Sequence, residues 1–351
     1  MNIHDILDLL VEKNGSDVHL LAGLPPILRV DGDLIPVPGV DAIGPEEMEM
    51  LLDPLMTEEE KQLFASNKEW DFAYQHGDKG RFRINVYHQR GKKAAALRLI
   101  PNRIKTIEEL NLPRAFEQLA TKKQGLVLVT GPTGEGKSTS LAALIDRINT
   151  IRNEHILTIE DPVEFIYEPK KSIVSQRELN KDTKDWSVAL RSALREDPDV
   201  VLIGEMRDYE TIAAALTIAE TGHLVFATLH TSTAAQTIDR IIDVFPAHQQ
   251  GQIRQQLAST LEAVISQRLL KKNGGGRLAA FEIMLVNPAI RNLIREQKTY
   301  QIDNIIQTTA AEGNMLIENS LLELVQKNAI TKEEALKVAF RPEQMQRLLG
   351  G

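Results

Sequence analysis

A glycine-rich segment near the middle of the chain, GPTGEGKS from Gly131 to Ser138, has the spacing of a phosphate-binding loop. In the pattern G-x-x-x-x-G-K-[ST], glycines let backbone N–H groups approach a phosphate chain, the lysine reaches the β and γ phosphates, and the hydroxyl binds Mg²⁺. An apolar run precedes the loop and a helical pattern follows it, so the helix N-terminus adds partial positive charge. We therefore predict an ATP site formed by Gly131, Pro132, Thr133, Gly134, Glu135, Gly136, Lys137, Ser138 and Thr139.

Glu135 is the unusual residue of this loop, because it places a carboxylate beside the phosphates that the loop would bind. Its backbone N–H can still serve the phosphates, but its side chain is expected to point to solvent. If the carboxylate stays hydrated, we expect its electrostatic cost to be about 1 kcal/mol.

Hydrolysis of a bound triphosphate requires a carboxylate on a neighbouring strand, and Glu205 is the candidate. It follows the apolar run VVLI and would lie at the carboxyl end of that strand, beside the phosphate loop. We predict that Glu205 orients or deprotonates the attacking water while Lys137 binds the phosphates. Many phosphate-loop enzymes carry Asp-Glu at this point, whereas this chain has Gly204 and Glu205. The alternative is an ordinary acidic helix start after a core strand.

The segment Glu160–Glu164 (EDPVE) places three carboxylates just after the apolar run ILTI. Buried carboxylates are costly unless they meet a cation or water. We predict that Glu164 contacts Mg²⁺, directly or through water, together with Ser138. A solvated acidic loop is the alternative.

His230 follows a third apolar run, LVFATL, and would occupy the position of a γ-phosphate sensor. An imidazole can donate a hydrogen bond at neutral pH, so we predict that His230 takes part in catalysis.

The composition excludes several other classes of function. With 41 Lys plus Arg against 49 Asp plus Glu, the net charge is −8, which disfavours bulk binding to nucleic acid. The absence of cysteine excludes disulfides, thiol catalysis and cysteine-based zinc sites. No apolar run approaches the ~18 residues of a membrane span, and the acidic, amphipathic N-terminus does not resemble a signal peptide. We expect a soluble, cytoplasmic protein.

The length of 351 residues suggests about two domains. Residues 1–100 are predicted to form a small α+β domain with an antiparallel sheet, and the proline-bounded segment 101–113 is predicted to be a linker. In residues 114–287, apolar runs alternate with helical stretches, which predicts parallel strands with crossover helices. Residues 288–351 are predicted to be helical.

Four motifs in fixed order, GPTGEGKST, ILTIEDPVEF, VVLIGEMRD and HLVFATLHT, resemble those of the secretion-ATPase superfamily of type II secretion and type IV pili. The resemblance covers nearly the whole chain, and the family typically has serine in place of Glu135. A further segment is similar to the C-terminal signature of the family's pilus retraction motors: Ala289, Ile290, Arg291, Asn292, Leu293, Ile294, Arg295 and Glu296.

This resemblance implies an α/β fold with a RecA-like P-loop core and a smaller PAS-like N-terminal domain. It also implies a homo-hexamer in which ATP lies between one core and the N-terminal domain of the same or a neighbouring subunit. The implied function is an ATPase motor that powers pilus retraction and twitching motility at the cytoplasmic face of the inner membrane. Its partners would be a membrane platform protein and, indirectly, the pilins. Zinc is not expected, because the tetracysteine site of the assembly motors has no counterpart here.

Three alternatives remain open: an assembly or accessory ATPase of the same family, a RecA-like nucleic-acid motor, and a module that binds ATP without hydrolysing it. The net charge of −8 and the lack of a basic-aromatic stripe argue against the nucleic-acid motor.

Arginines of the N-terminal domain form a further candidate binding group. Alternation in RFRINV places Arg81 and Arg83 on one strand face, and Arg98 lies on the next strand. Guanidinium groups on one sheet face suit a triphosphate and could act like an arginine finger. A solvated sheet face is the alternative.

Overall fold

The computed structural model describes residues 2–100 and 103–350. The chain forms two compact units, the first comprising residues up to 103 together with 164–166, and the second comprising 104–163 and 167–351. The first two residues of the predicted linker, 101–102, lie outside the described residues. The grouping of 164–166 with the first unit differs from the predicted boundaries, which assign this segment to the core.

The first unit is an α+β fold. Its helices are α1 (Ile3–Glu12), α2 (Pro45–Leu52) and α3 (Glu58–Asn67), and its strands are β1 (Asp17–Leu21), β2 (Ile27–Val30), β3 (Asp33–Pro36), β4 (Glu69–His76), β5 (Gly80–Gln89) and β6 (Lys92–Ile100).

The six strands form an antiparallel sheet in the order β3-β2-β1-β6-β5-β4. One face is apolar and packs on the helices, with Leu97, Phe82 and Ile84 fully buried. The apolar stripe of α1 joins this core, as its helical spacing predicts. The opposite face carries the arginines considered below.

The second unit is larger and contains eighteen labelled elements in its described part. Its helices are α4 (Ala115–Ala120), α5 (Lys137–Ile151), α6 (Trp186–Ala193), α7 (Tyr209–Glu220), α8 (Ala234–Asp243), α9 (Ala247–Thr260), α10 (Pro288–Arg295), α11 (Ile302–Thr308), α12 (Ile317–Gln326), α13 (Lys332–Val338) and α14 (Pro342–Gly350). Its strands are β7 (Gly125–Thr130), β8 (His155–Glu160), β9 (Ile173–Glu178), β10 (Val200–Ile203), β11 (Leu224–Leu229), β12 (Leu261–Lys271) and β13 (Arg277–Leu285).

These strands form one sheet in the order β13-β12-β7-β11-β10-β8-β9. Six neighbouring strands are parallel, and only the edge strand β13 is antiparallel, paired with β12. The four apolar runs predicted as parallel strands are confirmed as β7, β8, β10 and β11. Because helices cover both faces of a parallel sheet, β7, β10 and β11 are buried at every position.

The C-terminal stretch is helical, as predicted. Its helices α10 to α14 belong to the second unit, where α12 to α14 pack on β12 and β13 around a small apolar cluster. A break between helices falls at Gly313, which has a φ of 103°, and Thr331 caps the N-terminus of α13.

Candidate nucleotide site

The carboxyl ends of three neighbouring parallel strands define the site. Leu229 at the end of β11 pairs with Thr130 at the end of β7, and Ile203 at the end of β10 pairs with Ala227 of β11. The loop starting at Gly131 donates its first N–H to Leu229 O at 3.2 Å. The segments that follow β7, β11 and β10 therefore begin at one edge of the sheet, which is where ligands bind in open α/β sheets.

The phosphate loop adopts a conformation that depends on its glycines. Gly131, Gly134 and Gly136 have φ angles of 141°, 84° and 78°, in the region that disfavours residues with a Cβ. At Gly131 a Cβ would also lie 2.5 Å from Gln267 O on β12, so the loop and this strand are in close backbone contact. The glycine pattern in the sequence therefore reflects both backbone conformation and packing.

The Lys137 ammonium is held inside the loop. Its Nζ donates to Gly131 O at 2.6 Å and to Pro132 O at 2.9 Å, and the residue is only 8% exposed. The positive charge of the Lys137 ammonium thus lies inside the curve of the loop, next to Gly131 and Pro132. This arrangement suits an anionic phosphate chain.

Ser138 and Thr139 lie in the first turn of α5 and are half-buried. Within residues 2–100 and 103–350 there is no cluster of three or more His, Asp or Glu side chains suited to a metal. Mg²⁺ in nucleotide sites commonly uses one or two protein oxygens, several waters and the phosphates themselves. The hydroxyl of Ser138 fits such a ligand set.

Glu135 does not point to solvent, so that expectation was wrong. Its Oε1 lies 3.4 Å from Arg268 Nη1, and its Oε2 accepts a hydrogen bond from the Leu269 backbone N–H. Its side chain is 20% exposed. The physical reason is the neighbouring strand β12, which offers both a guanidinium and a backbone N–H to the carboxylate.

Glu205 lies immediately after β10, between the guanidinium of Arg207 and the imidazole of His230. Its Oε2 is 2.9 Å from Arg207 Nη2, and its Oε1 is 2.9 Å from His230 Nε2. Burial raises the pKa of Glu205, but the hydrogen bond and charge of Arg207, together with His230, outweigh burial and hold the pKa below its ordinary value. The structure therefore brings Glu205 and His230 together and keeps the carboxylate ionised.

The residue before this carboxylate is glycine for a steric reason. A Cβ on Gly204 would lie 3.3 Å from both Ile159 O and Glu160 Cα on β8. The Gly204 carbonyl also accepts a hydrogen bond from Thr228 Oγ1 of β11 at 2.5 Å. Close packing of β8 and β11 around this turn accounts for glycine where many phosphate-loop enzymes have aspartate.

Glu164 is half-buried and belongs to the first unit, whereas the phosphate loop belongs to the second. Its role toward Mg²⁺ stays a prediction.

The predicted arginine group shares one face of the sheet of the first unit. Arg83 pairs directly with Arg98 across β5 and β6, and Arg81 lies two residues along the same strand face. Arg98 Nε lies 2.9 Å from Asp17 Oδ1, and Arg83 Nε lies 3.7 Å from Asp71 Oδ1. Arg83 and Arg98 are therefore partly neutralised by acids of their own sheet, and the role of all three arginines toward ATP stays a prediction.

The predicted signature helix is α10, with Asn287 as its N-cap and Pro288 at its first position, as the sequence indicates. Ile290, Leu293 and Ile294 are buried. Its basic residues do not form one exposed stripe. Arg291 donates to Ala258 O and Ser259 O at 2.6 and 2.9 Å, so it satisfies the last carbonyls of α9, while Arg295 is exposed.

Sequence reasoning missed three residues of this site. Arg207 follows Glu205 by two positions but gives no periodic signal, whereas Gln267 and Arg268 interrupt the apolar strand β12. Gln267 accepts from Ser140 Oγ at 2.8 Å and donates to Glu135 O at 2.7 Å. Polar residues within an apolar run were the available signal.

A glycine-rich phosphate loop after a parallel strand, with an ionised carboxylate at the end of a nearby strand, defines a P-loop nucleotide-binding protein. The profile of the family described as "Type II/IV secretion system protein" matches residues 75–274. The chain belongs to this family.

Two relatives align over almost their whole length. The chain is 48% identical over 343 residues to the Pseudomonas aeruginosa protein named type IV pilus retractation ATPase PilT, covering 98% of this chain and 99% of the relative. It is 48% identical over 328 residues to a twitching motility protein of Neisseria gonorrhoeae, covering 93% of this chain and 87% of the relative.

Solved structures agree with these matches. A crystal structure of the pilus retraction motor PilT with bound ADP has a TM-score of 0.88 at 46% identity, covering 99% of both chains. The Legionella pneumophila ATPase DotB has a TM-score of 0.83 at 27% identity, covering 94% of this chain and 93% of DotB. The predicted family resemblance and the predicted α/β fold are confirmed.

Proposed function

We propose that this chain is an ATP-hydrolysing motor that powers type IV pilus retraction, and hence pilin disassembly and twitching motility. Hydrolysis is supported by Glu205, which lies at the strand edge that carries the phosphate loop and is held by His230 and Arg207. Retraction is supported by the 48% identity to PilT over nearly the whole chain.

The residues of the chain have distinct tasks in this reaction. The loop N–H groups and Lys137 bind the phosphates, and Ser138 with Glu164 would hold Mg²⁺, which when bound neutralises charge on the phosphate oxygens. Glu205 orients the attacking water for in-line displacement and receives its proton. His230 holds the Glu205 carboxylate through its Nε2. We assign it the further task of contacting the negative charge that develops on the γ-phosphate.

We further propose a homo-hexamer in which Arg81, Arg83 and Arg98 complete the triphosphate site as the enzyme closes. The arginine face supports this proposal, because cations that approach only in the closed state stabilise the transition-state charge. Cycles of closing and opening would act on a platform protein at the cytoplasmic face of the inner membrane. The helix α10 carries the segment that resembles the signature of retraction motors, so we assign it a part in retraction. No helix within the described 2–100 and 103–350 is long and apolar enough to cross a membrane.

The biochemical test is Glu205→Gln, which keeps the shape of the side chain but cannot accept a proton. We expect this variant to bind Mg²⁺-ATP with unchanged affinity and to lose multiple-turnover phosphate release by about 100-fold or more. Glu210→Gln is the matched control, because Glu210 is exposed in the first turn of α7. Full turnover by Glu205→Gln would remove this residue from the mechanism, and absence of turnover by the unaltered protein would favour the binding-only module.

The cellular test compares a strain with the unaltered gene and one carrying Glu205→Gln. We expect pili still to be made but not retracted. Loss of pili would instead favour the assembly or accessory motor, and ATPase stimulation by DNA would favour the nucleic-acid motor.

A further inference from the structure

Glu135 is bound by three consecutive residues of β12. Its carboxylate lies 3.4 Å from Arg268 Nη1 and accepts from the Leu269 N–H, and its carbonyl accepts from Gln267 Nε2 at 2.7 Å. Side chain and backbone of Glu135 are therefore both attached to the same strand. Such a set of contacts fixes the direction of the carboxylate.

The guanidinium of Arg268 is itself fixed from two other sides. Its Nη2 donates to Ser232 Oγ at 3.0 Å, and its Cζ lies 5.3 Å from the centroid of the Phe340 ring. The Arg268 side chain is only 20% exposed. Because its planar head is held by both Ser232 and Phe340, Arg268 presents Nη1 to Glu135 in a preorganised position.

The order of strands in the sheet determines on which side of the phosphate loop the Glu135–Arg268 pair lies. In the sheet, β12 lies on one side of β7, and β11 and β10, which lead to His230 and Glu205, lie on the other side. The contacts with β12 thus hold the Glu135 carboxylate on the side of the loop that is opposite to Glu205. An unpaired acid in this loop would repel every phosphate oxygen that the loop binds.

We propose that Arg268 is a positioning residue of the phosphate loop, which neutralises the Glu135 carboxylate and holds it on the β12 side so that the loop accepts ATP. This inference rests on the proposed nucleotide site. Arg268 acts through Glu135 and does not itself contact the phosphates. The two residues therefore form one functional unit.

A double-mutant cycle tests this coupling. Arg268→Gln is made in the unaltered chain and in a Glu135→Ser background, and binding of Mg²⁺-ADP and of the Mg²⁺ complex of the β,γ-imido analogue of ATP is measured by calorimetry. In the unaltered background we expect Arg268→Gln to weaken binding roughly tenfold or more, because it leaves an unpaired acid in the loop. In the Glu135→Ser background we expect the same change to cost less than about twofold.

Four measurements separate positioning from a general structural role. Arg268→Lys keeps the charge and should retain most of the affinity, whereas Arg277→Ala removes one exposed cation from β13 and should leave binding unchanged. The Arg268→Gln defect should shrink at high salt, because it arises from repulsion between charges. In steady-state assays, KM for ATP should rise in Arg268→Gln with little change in kcat.

Equal losses of affinity in both backgrounds would overturn the inference, since Arg268 would then act independently of Glu135. A fall in kcat without a rise in KM would overturn it as well. Absence of nucleotide binding by the unaltered protein would overturn the proposed function and this inference together.

Discussion

Nε2 of His230 lies 2.9 Å from Oε1 of Glu205, although the two residues follow different strands and stand 25 positions apart in the chain. The pair results from the parallel register of β10 and β11, which brings both strand ends to one edge. The other carboxylate oxygen of Glu205, Oε2, is paired with Nη2 of Arg207. Both oxygens of Glu205 are thus fixed before a substrate water arrives.

His230→Ala should lower kcat by up to about 100-fold, because Glu205 would lose one of the two contacts that orient it. Affinity for ATP should change little, since Lys137 and the loop N–H groups remain. Phosphate-release kinetics and nucleotide titration measure the two effects. His248→Ala is the control, because His248 is exposed on α9. Unchanged kcat in His230→Ala would show that Arg207 alone positions the carboxylate.

Arg207→Ala should move the acidic limb of the pH profile of kcat to higher pH. Burial raises the pKa of Glu205, and Arg207 is the largest influence that lowers it, so its removal lets the pKa rise. More of the carboxylate is then protonated in mildly acidic solution, and activity falls there first. Arg195→Ala removes an exposed cation after α6 and should leave the profile unchanged. An unmoved limb in Arg207→Ala would mean that Glu205 ionisation does not limit the rate.

Gly131→Ala should abolish nucleotide binding and destabilise the fold by at least about 2 kcal/mol. The new Cβ would lie 2.5 Å from Gln267 O, a backbone atom that cannot move without shifting β12. Gly275→Ala is the matched control, because Gly275 also has a positive φ, of 100°, but open space around it, and it should cost only about 1 kcal/mol. Urea unfolding measures both variants, and equal costs would argue against the close approach of loop and strand.

Arg341→Met should destabilise the fold by about 3–5 kcal/mol, because Glu282 and Glu318 are fully buried and share Nη1 of this guanidinium at 3.0 and 2.9 Å. Urea unfolding measures the loss. Arg347→Met, at an exposed position of α14, should stay within about 0.5 kcal/mol.

The same variant should show a defined pH dependence. Burial raises the pKa of Glu282, and Arg341 opposes that rise, so the pKa climbs further in Arg341→Met. A raised folded pKa means that the native state binds the proton more tightly, so stability is gained at low pH and lost as pH rises through the folded pKa. The defect should therefore be smaller at about pH 5 than at about pH 8. A defect that grows on acidification would contradict the role of the buried carboxylates.

The sequence predicted those parts of the structure that depend on local pattern. Apolar runs with helical stretches between them indicate β7, β8, β10 and β11, because a strand buried on both faces must be apolar throughout. The β12–β13 hairpin was missed, since Ser266, Gln267 and Arg268 interrupt its first strand with polar residues. The strand β1, only five residues long, was also missed.

Within the site, residue identity was predictable but side-chain direction was not. The motifs marked Glu205 and His230 individually, and only the sheet register shows that they meet. The environment of Glu135 depends on Arg268, 133 residues away in sequence, so the loop alone could not reveal it. Long-range pairing of this kind is a property of the folded chain.

The cluster around Arg341 also bears on how the ATPase core and the C-terminal helices are related. Glu282, which Arg341 binds, accepts a hydrogen bond from the Ala234 N–H at 2.9 Å, and Ala234 begins the helix that follows His230. The last helices thus complete the interior of the catalytic unit. A shortened chain that ends before Arg341 would leave Glu282 and Glu318 buried without their guanidinium partner. The C-terminal helices are therefore a structural part of this unit and cannot be deleted without destabilising it.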